Sequence, residues 1–311
     1  MGKTTRREFL GASLAAAGAG SAAPAALASW LAAGAGSGRG TTGRRVDRRA
    51  AAPGPQFELG LASYTFREFG LDEALAMARR LGFVRIALKD VHLPLDSSAE
   101  AIRATIEKVQ AAGLVAYGCG VVYMAADAEV DRAFAYAKTG GMGLIIGVPD
   151  HGLLARAGLR VRETGIGLAI HNHGPGDLRY PTPRSILERI GDLDPRIGVC
   201  LDVGHCQRSG LDPSEEAARC GPRLLDVHLK DVTASTEQGT AVEAGRGVVD
   251  VPRLLRALIA MGYRGTAAFE YEKDGRDPLA GLAESVGYVR GVLAGLGRAA
   301  GRPPAQSGGD T

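Results

Sequence analysis

The chain has 311 residues, enough for one large domain or two small ones. Charged residues make up 23% of it and hydrophobic residues 45%, which is typical of a folded protein and excludes a largely disordered one. The formal net charge of +3 gives no basis for binding nucleic acid, and no apolar run in the body of the chain reaches the ~20 residues of a membrane span.

The first 28 residues have the pattern of an export signal. Paired arginines, Arg6 and Arg7, precede an alanine-rich, charge-free stretch that ends in the small-x-small sequence Ala26-Leu27-Ala28. This pattern predicts a twin-arginine signal peptide over residues 1–28 and a periplasmic or extracellular location. A short N-terminal helix of a cytosolic protein is the alternative.

The composition then changes twice along the chain. Residues 29–55 are rich in Gly, Ala, Arg and Pro without apolar periodicity, which predicts a flexible linker. Residues 298–311 form a comparable polar tail, predicted to be disordered. The folded domain is therefore expected over residues 56–297.

Short apolar runs alternate with amphipathic stretches through this domain. Strands are predicted over 57–63, 84–88, 115–120, 144–148, 167–173, 197–202, 224–230 and 266–271. Helices are predicted over 71–81, 99–112, 251–261 and 278–296, with further helix starts at Pro183 and Pro213 and stops at Gly82, Gly113 and Gly262. Strands that alternate with helices favour parallel βαβ units. These units predict an α/β (β/α)₈ TIM barrel, with a doubly wound sheet as the alternative.

The last four predicted strands end in polar or charged side chains, and each strand end includes at least one that can bind a metal ion. These are His171, Asn172 and His173 on the fifth, Asp202 and His205 on the sixth, His228 and Lys230 on the seventh, and Glu270 and Glu272 on the eighth. In a barrel these ends meet at the catalytic face. A lone histidine is usually a core residue, but four adjacent strands with such ends count against that interpretation. Mixed nitrogen and oxygen ligands predict one divalent ion, with Mn, Zn, Co or Fe favoured over Mg.

The four cysteines, Cys119, Cys200, Cys206 and Cys220, have no C-x-x-C spacing. In an exported protein Cys200 or Cys206 could pair with Cys220. Buried thiols are the favoured state.

Several motifs from strand five onward form a recognisable combination. They are Asp202-x-x-His205, His228-Leu229-Lys230-Asp231, Gly245-Arg246-Gly247-Val248-Val249-Asp250, Gly262-Tyr263-x-Gly265 and Phe269-Glu270-Tyr271-Glu272. With them the segment from His171 to Glu272 resembles the sugar phosphate isomerase/epimerase family. These xylose isomerase-like TIM barrels include ketose 3-epimerases, hydroxypyruvate isomerase, inosose dehydratase and endonuclease IV.

The resemblance implies a metal held by four strand-end side chains. Asp202, His228 and Glu270 match three family ligands. At the first position the family usually has Glu followed by Asn-His, whereas this chain has His171-Asn172-His173, so His171 is the expected fourth ligand in a histidine-bearing branch. The family's epimerases use two glutamates on opposite faces of the substrate. The change therefore counts against a symmetrical two-base epimerisation.

The predicted function is that of a metal-dependent sugar isomerase or epimerase that removes a proton next to a carbonyl and forms an enediolate. Glu270 is the candidate base, and Lys230, His173 or His205 the candidate acid. His205, Asn172 and Arg246 are candidate substrate contacts.

Other functions remain open at this stage. Loss of a β-oxygen from the same intermediate would give a lyase or dehydratase acting on keto sugars or 3-keto-glycosides. A non-catalytic barrel that binds metal or sugar is a further alternative, and endonuclease activity is disfavoured by the near-neutral charge. The expected partner is a small sugar or keto sugar rather than nucleic acid or a membrane. A homo-oligomer stays possible.

Overall fold

The structure, a computed structural model, describes residues 55–301. The predicted signal peptide of residues 1–28 lies outside them, as do residues 29–54 of the predicted linker and residues 302–311 of the predicted tail. Between residues 55 and 301, no helix has both the length and the apolar character that crossing a bilayer requires.

Eight parallel strands close into a barrel in which each strand lies beside its neighbours in the chain. They are β1 (Glu58–Ala62), β2 (Arg85–Leu88), β3 (Val115–Met124), β4 (Leu144–Pro149), β5 (Gly167–His171), β6 (Ile197–Asp202), β7 (Leu224–Leu229) and β8 (Thr266–Phe269). Because β8 pairs with β1, the sheet has no edge. This confirms the predicted (β/α)₈ barrel and excludes the doubly wound alternative. The predicted strand bounds agree closely except at β3, which continues past residue 120 to Met124.

Helices surround the barrel. They are α1 (Leu71–Arg80), α2 (Ala99–Ala111), α3 (Asp127–Thr139), α4 (Leu154–Thr164), α5 (Pro183–Ile190), α6 (Val203–Arg208), α7 (Pro213–Cys220), α8 (Val251–Ala260) and α9 (Leu279–Gly301), with 3₁₀ turns at Ser63–Phe66, His151–Leu153 and Gly221–Arg223. The predicted stops after α1, α2 and α8 are glycines with positive φ. The last helix extends past the predicted domain boundary at residue 297.

The interior of the barrel is packed with small side chains below its mouth. Ala87, Tyr117, Ile146, Ala169, Cys200 and Ala268 form a buried cluster separate from the larger core between strands and helices. These small residues leave room for the Tyr117 ring inside the barrel. The polar side chains at the mouth of the barrel lie above this cluster. All four cysteines are buried and free, as predicted.

One carboxylate organises the chain after β7. Asp231 Oδ1 accepts hydrogen bonds from the backbone N–H of Val232 and Val249, and Oδ2 accepts from Gly245 and Gly247, at 2.8 to 3.1 Å. A Cβ atom on Gly247 would collide with this carboxylate, so the position requires glycine. The motif residues of this segment thus have a structural role, and they hold it against the strand that carries His228.

Candidate active site

Four side chains converge where strands β5 to β8 end. One nitrogen or oxygen atom from each of His171, Asp202, His228 and Glu270 lies within 4.8 Å of the other three, and all four residues are buried. His171 Nε2 is 3.2 Å from His228 Nδ1 and 3.5 Å from Asp202 Oδ2, and His228 Nδ1 is 3.2 Å from Glu270 Oε2. The structure thus brings the four predicted ligands together in one cluster, here called the cage.

The donor set of the cage fits a divalent cation. It offers two imidazole nitrogens and two carboxylate oxygens, which zinc and other first-row metals bind. Burial lowers the pKa of His171 to about 3, despite the opposing effect of Asp202. The imidazole is therefore neutral near neutral pH and keeps the lone pair that a metal needs.

Lys230 places an ammonium group against the same carboxylates. Its Nζ lies 3.1 Å from Asp202 Oδ2, 3.0 Å from Glu270 Oε2 and 3.0 Å from Glu272 Oε2. Burial on its own would raise the pKa values of Asp202 and Glu270, but Lys230 and the neighbouring histidines together outweigh burial and hold both pKa values well below normal. The three carboxylates in turn hold the pKa of Lys230 well above normal against burial. Asp202, Glu270 and Lys230 are therefore charged.

Asn172 positions a ligand. Its Nδ2 donates to the carbonyl of Asp202 at 3.1 Å, and its Oδ1 accepts from the Asp202 backbone N–H at 2.9 Å. The side chain is fully buried and does not line the cleft. Asn172 was predicted to contact substrate, but in the structure its side chain is hydrogen-bonded to the backbone of β6.

A cleft of about 240 Å³ opens beside the cage. Its lining consists of Tyr64, Lys89, Val121, Tyr123, His171, His173, His205, Glu270 and Glu272. The predicted residues His173 and His205 lie on this surface. The Tyr123 hydroxyl is 2.8 Å from His173 Nε2, and Arg208 Nη1 is 3.2 Å from His205 Nδ1. A small polar molecule in the cleft would reach both the histidines and the two glutamates.

Arg246 does not line the cleft. Its guanidinium forms two hydrogen bonds to Glu284 on α9, at 2.5 and 2.7 Å, and its side chain is 60% exposed. The hydrogen bonds from Gly245 and Gly247 to Asp231 fix the Gly-Arg-Gly turn, and in this conformation the Arg246 side chain points outward. The prediction that Arg246 binds substrate is corrected accordingly.

The structure adds three polar side chains to the predicted set. Tyr64 and Lys89 directly follow the ends of β1 and β2, and Tyr123 lies on the unpredicted extension of β3. Active-site residues of such barrels lie at strand ends. Tyr64 and Lys89 would have been predicted if this rule had also been applied to the strands that carry no predicted metal ligand. Tyr123 could not be found this way, since the predicted β3 ended at residue 120.

Asp226 lies beneath the cage, inside the barrel. It is fully buried, accepts hydrogen bonds from the Tyr117 hydroxyl at 3.3 and 3.4 Å, and its Oδ2 is 3.8 Å from His228 Nε2. Burial raises the pKa of Asp226 to about 7. At 3.8 Å this carboxylate lies behind the His228 ring without forming a hydrogen bond to it. Asp226 could have been predicted from the sequence, because it precedes His228 by two residues and side chains two apart on a strand point to the same side.

Sequence comparison agrees with this geometry. Residues 153–292 match the family model described as xylose isomerase-like TIM barrel, and this range contains all four residues of the cage. Over these residues, which make up less than half of the chain, the sequence is similar to that family. The family is the one that the sequence motifs resemble.

Two curated proteins are similar to parts of the chain. The rhizopine catabolism protein MocC of Rhizobium meliloti is 31% identical over 156 residues, which cover 42% of this chain and 47% of MocC. Inosose dehydratase of Geobacillus thermodenitrificans is 29% identical over 138 residues, 39% of this chain and 45% of that enzyme. The chain therefore spans about half the length of the curated relatives it matches.

A solved structure extends the likeness to the whole barrel. D-allulose 3-epimerase from Methylomonas sp. superposes with a TM-score of 0.64 at 16% identity, over 78% of this chain and 99% of the epimerase. At this identity the likeness concerns the fold.

Proposed function

We propose that the chain is a metal-dependent sugar isomerase of the xylose isomerase-like family, in a branch with histidine at the first ligand position. The observation that carries the proposal is the convergence of His171, Asp202, His228 and Glu270 at the edge of a cleft of monosaccharide scale. A divalent ion held by these four residues supplies Lewis-acid chemistry, which makes the carbon next to a substrate carbonyl more acidic.

The residues around the cleft have different roles in the proposed reaction. Glu270 is ionised, because Lys230 offsets its burial, and it faces the cleft, so it can take a proton from substrate. Lys230 holds a proton near the same position and can stabilise negative charge on an enediolate. Tyr64, Lys89 and Tyr123 form the wall contributed by β1 to β3, where substrate hydroxyl groups would be bound.

The arrangement favours isomerisation over epimerisation. Both glutamates in the cleft come from the end of β8, so both approach the substrate from one side. A proton moved between adjacent carbons of an enediolate needs a base on one face only, whereas inversion needs an acid on the opposite face. Among the described residues no carboxylate from another strand lines the cleft, and the Nε2 of His173 is already engaged by Tyr123.

Hydrogen exchange tests this proposal. The purified protein, loaded with Mn²⁺, is incubated with a panel of keto sugars in deuterated water, and NMR follows deuterium entry next to the carbonyl. We expect exchange and a new sugar isomer with the wild type, and loss of both with Glu270→Gln and His171→Ala. Arg246→Ala is the matched control and should keep activity, because its side chain points away from the cleft. Bound metal without exchange on any sugar would indicate a binding protein instead.

A dehydratase is the second candidate, favoured by two observations. Inosose dehydratase is among the curated proteins similar to this chain. In addition, a histidine stands where a second carboxylate base would be needed for epimerisation. The same experiment separates the two functions, because a dehydratase loses water and gives a product two hydrogens and one oxygen poorer, detectable by mass.

We also propose that the protein is exported through the twin-arginine route. The support is the pair Arg6 and Arg7 before an apolar stretch. Replacing both by lysine should retain the protein in the cytoplasm, as shown by fractionation. Secretion of that variant at the normal level would contradict export by this route.

A further inference from the structure

The two histidines of the cage also belong to a second cluster, which contains a thiol. Ligand atoms of His171, Cys200 and His228 lie within 4.8 Å of one another, and all three side chains are buried. Cys200 is the register partner of His171 on the next strand, whereas Asp202 is the register partner of His228. The thiol therefore lies one inward-facing position deeper in the barrel than the Asp202 carboxylate.

Unsatisfied nitrogen atoms lie on this inner side. His228 Nδ1 faces Glu270, whereas His228 Nε2 has no hydrogen-bond partner among residues 55–301 and lies 3.8 Å from Asp226 Oδ2. Cys200 Sγ donates to that same oxygen at 3.8 Å, so the thiol and the free imidazole nitrogen converge. His171 Nδ1 is also buried without a partner within the described part of the chain. Buried polar atoms are normally paired, so an unpaired imidazole nitrogen of His228 beside a thiol indicates an affinity for a soft cation.

We propose that His171, Cys200 and His228 form a second metal site, selective for thiophilic cations such as Cd²⁺. Sulfur and imidazole ligands select soft ions, whereas the carboxylates of the cage favour harder ones such as Mn²⁺. Since both sites use the same two histidines, two divalent ions bound at once would lie close together and repel each other, so occupation of one site weakens the other. If the proposed isomerase function holds, a thiophilic ion at the second site therefore acts as an inhibitor that weakens binding of the ion in the cage.

Coordination by Cys200 involves a proton transfer. The S–H bond breaks as the S–Cd bond forms, and the thiol proton passes to the Asp226 carboxylate, which already accepts its hydrogen bond. The ion keeps its oxidation state, and no further reactant takes part.

Ultraviolet titration with Cd²⁺ alone tests the site. Sulfur bound to cadmium absorbs by charge transfer in the ultraviolet, and we expect this band in the wild type and its loss in Cys200→Ser and Cys200→Ala. Cys206→Ser is the matched control, since Cys206 is a buried thiol that donates to the Leu211 carbonyl outside the cluster. Excess Mn²⁺ should suppress the wild-type band by taking the shared histidines.

Two results would overturn the proposal. One is a band that persists in both Cys200 variants, and the other is Cd²⁺ binding to the wild type without a sulfur band. Thermal melting of each variant establishes that it is folded. No sugar enters the experiment, so its outcome is independent of whether the protein proves to be an isomerase.

Discussion

At the scale of single residues, Lys230 controls the electrostatics of the site. Its ammonium shares Asp202 Oδ2 and Glu270 Oε2 with the cage. A divalent ion and this ammonium therefore draw on the same two oxygens and repel each other. At an effective dielectric constant of about 20, two unit charges about 4 Å apart interact by roughly 4 kcal/mol. A metal ion in the cage would therefore be bound more weakly because of a cation built into the chain.

Replacing that cation should strengthen metal binding. We expect Lys230→Met to bind Mn²⁺ at least about tenfold more tightly than the wild type, which corresponds to about 1.4 kcal/mol. Isothermal titration calorimetry measures the affinity. Lys89→Met is the matched control, because Lys89 lines the cleft but donates to the Val121 carbonyl rather than to the cage. Unchanged or weaker binding in Lys230→Met would contradict the competition.

A second residue-scale effect concerns stability against acid. Glu243 accepts hydrogen bonds from Lys273 Nζ at 2.8 Å and from the Tyr271 hydroxyl at 2.9 Å. The bond from Lys273 is the main cause that lowers the pKa of Glu243 to about 2. A group whose pKa is lower in the folded state stabilises the fold above its ordinary pKa of 4.5 and loses that effect as the pH falls towards 2.

Glu243→Gln should therefore be pH-dependent in its effect. We expect a loss of about 1 kcal/mol in unfolding free energy at pH 7, shrinking as the pH falls below about 4.5. Urea denaturation at several pH values gives the difference. Glu107→Gln, at an exposed position on α2, should have the same unfolding free energy as the wild type at every pH. A difference for Glu243→Gln that stays constant with pH would refute the assignment.

At the scale of elements, the segment from Glu243 to Asp250 shows how one side chain fixes a loop. Asp231 receives four backbone N–H groups, three of them from Gly245, Gly247 and Val249. Asp250 has a local role instead, since it caps α8 by accepting from the Arg253 backbone N–H at 2.8 Å. Asp231 therefore fixes a segment of several residues, whereas Asp250 fixes only the first turn of α8.

The difference is measurable by substitution. We expect Asp231→Asn to lower the unfolding free energy by about 2–3 kcal/mol, because the amide nitrogen cannot accept the bonds that one carboxylate oxygen accepted. Asp250→Ala should cost only about 1 kcal/mol, as is typical of a lost N-cap. Hydrogen exchange should also rise across residues 243–249 in the Asp231 variant alone. Equal losses would show that Asp231 acts only locally.

At the scale of the whole molecule, closure of the barrel makes the site. β5 to β8 supply the ligands and β1 to β3 supply the facing wall, and β8 pairs with β1 to join the two groups. Because ligands come from four strands, an ion bound to the cage links distant parts of the chain. Binding to the folded state alone then stabilises the entire barrel.

Metal removal should therefore lower the melting temperature. With Mn²⁺ at about one hundred times its Kd, the stabilisation is about 2.7 kcal/mol, or roughly 5–10 °C for a domain of this size. Differential scanning fluorimetry with and without EDTA measures the shift. His171→Ala should lose most of it, whereas the exposed His151→Ala should keep it. A shift retained in His171→Ala would remove that residue from the cage.

The sequence by itself determined the parts that depend on local pattern. Apolar runs and helix caps were sufficient for the strand and helix order, since strands and amphipathic helices have distinct periods. Because a barrel brings consecutive strand ends together, the strand ends gave a wider set of candidate side chains, and the family resemblance then selected His171, Asp202, His228 and Glu270 from it. The bounds of helices α3, α4 and α6 and the end of β3 were not predicted from the local pattern.

Only the tertiary structure decided what each of the remaining side chains does. Asn172 and Arg246 carry polar groups suited to a sugar, yet one binds the backbone of Asp202 and the other pairs with Glu284. Lys89 reaches the site from the end of β2, far in sequence from the residues of the cage. A polar side chain acts on the groups within a few ångströms of it, and for these residues those neighbours are set by barrel closure rather than by adjacent sequence.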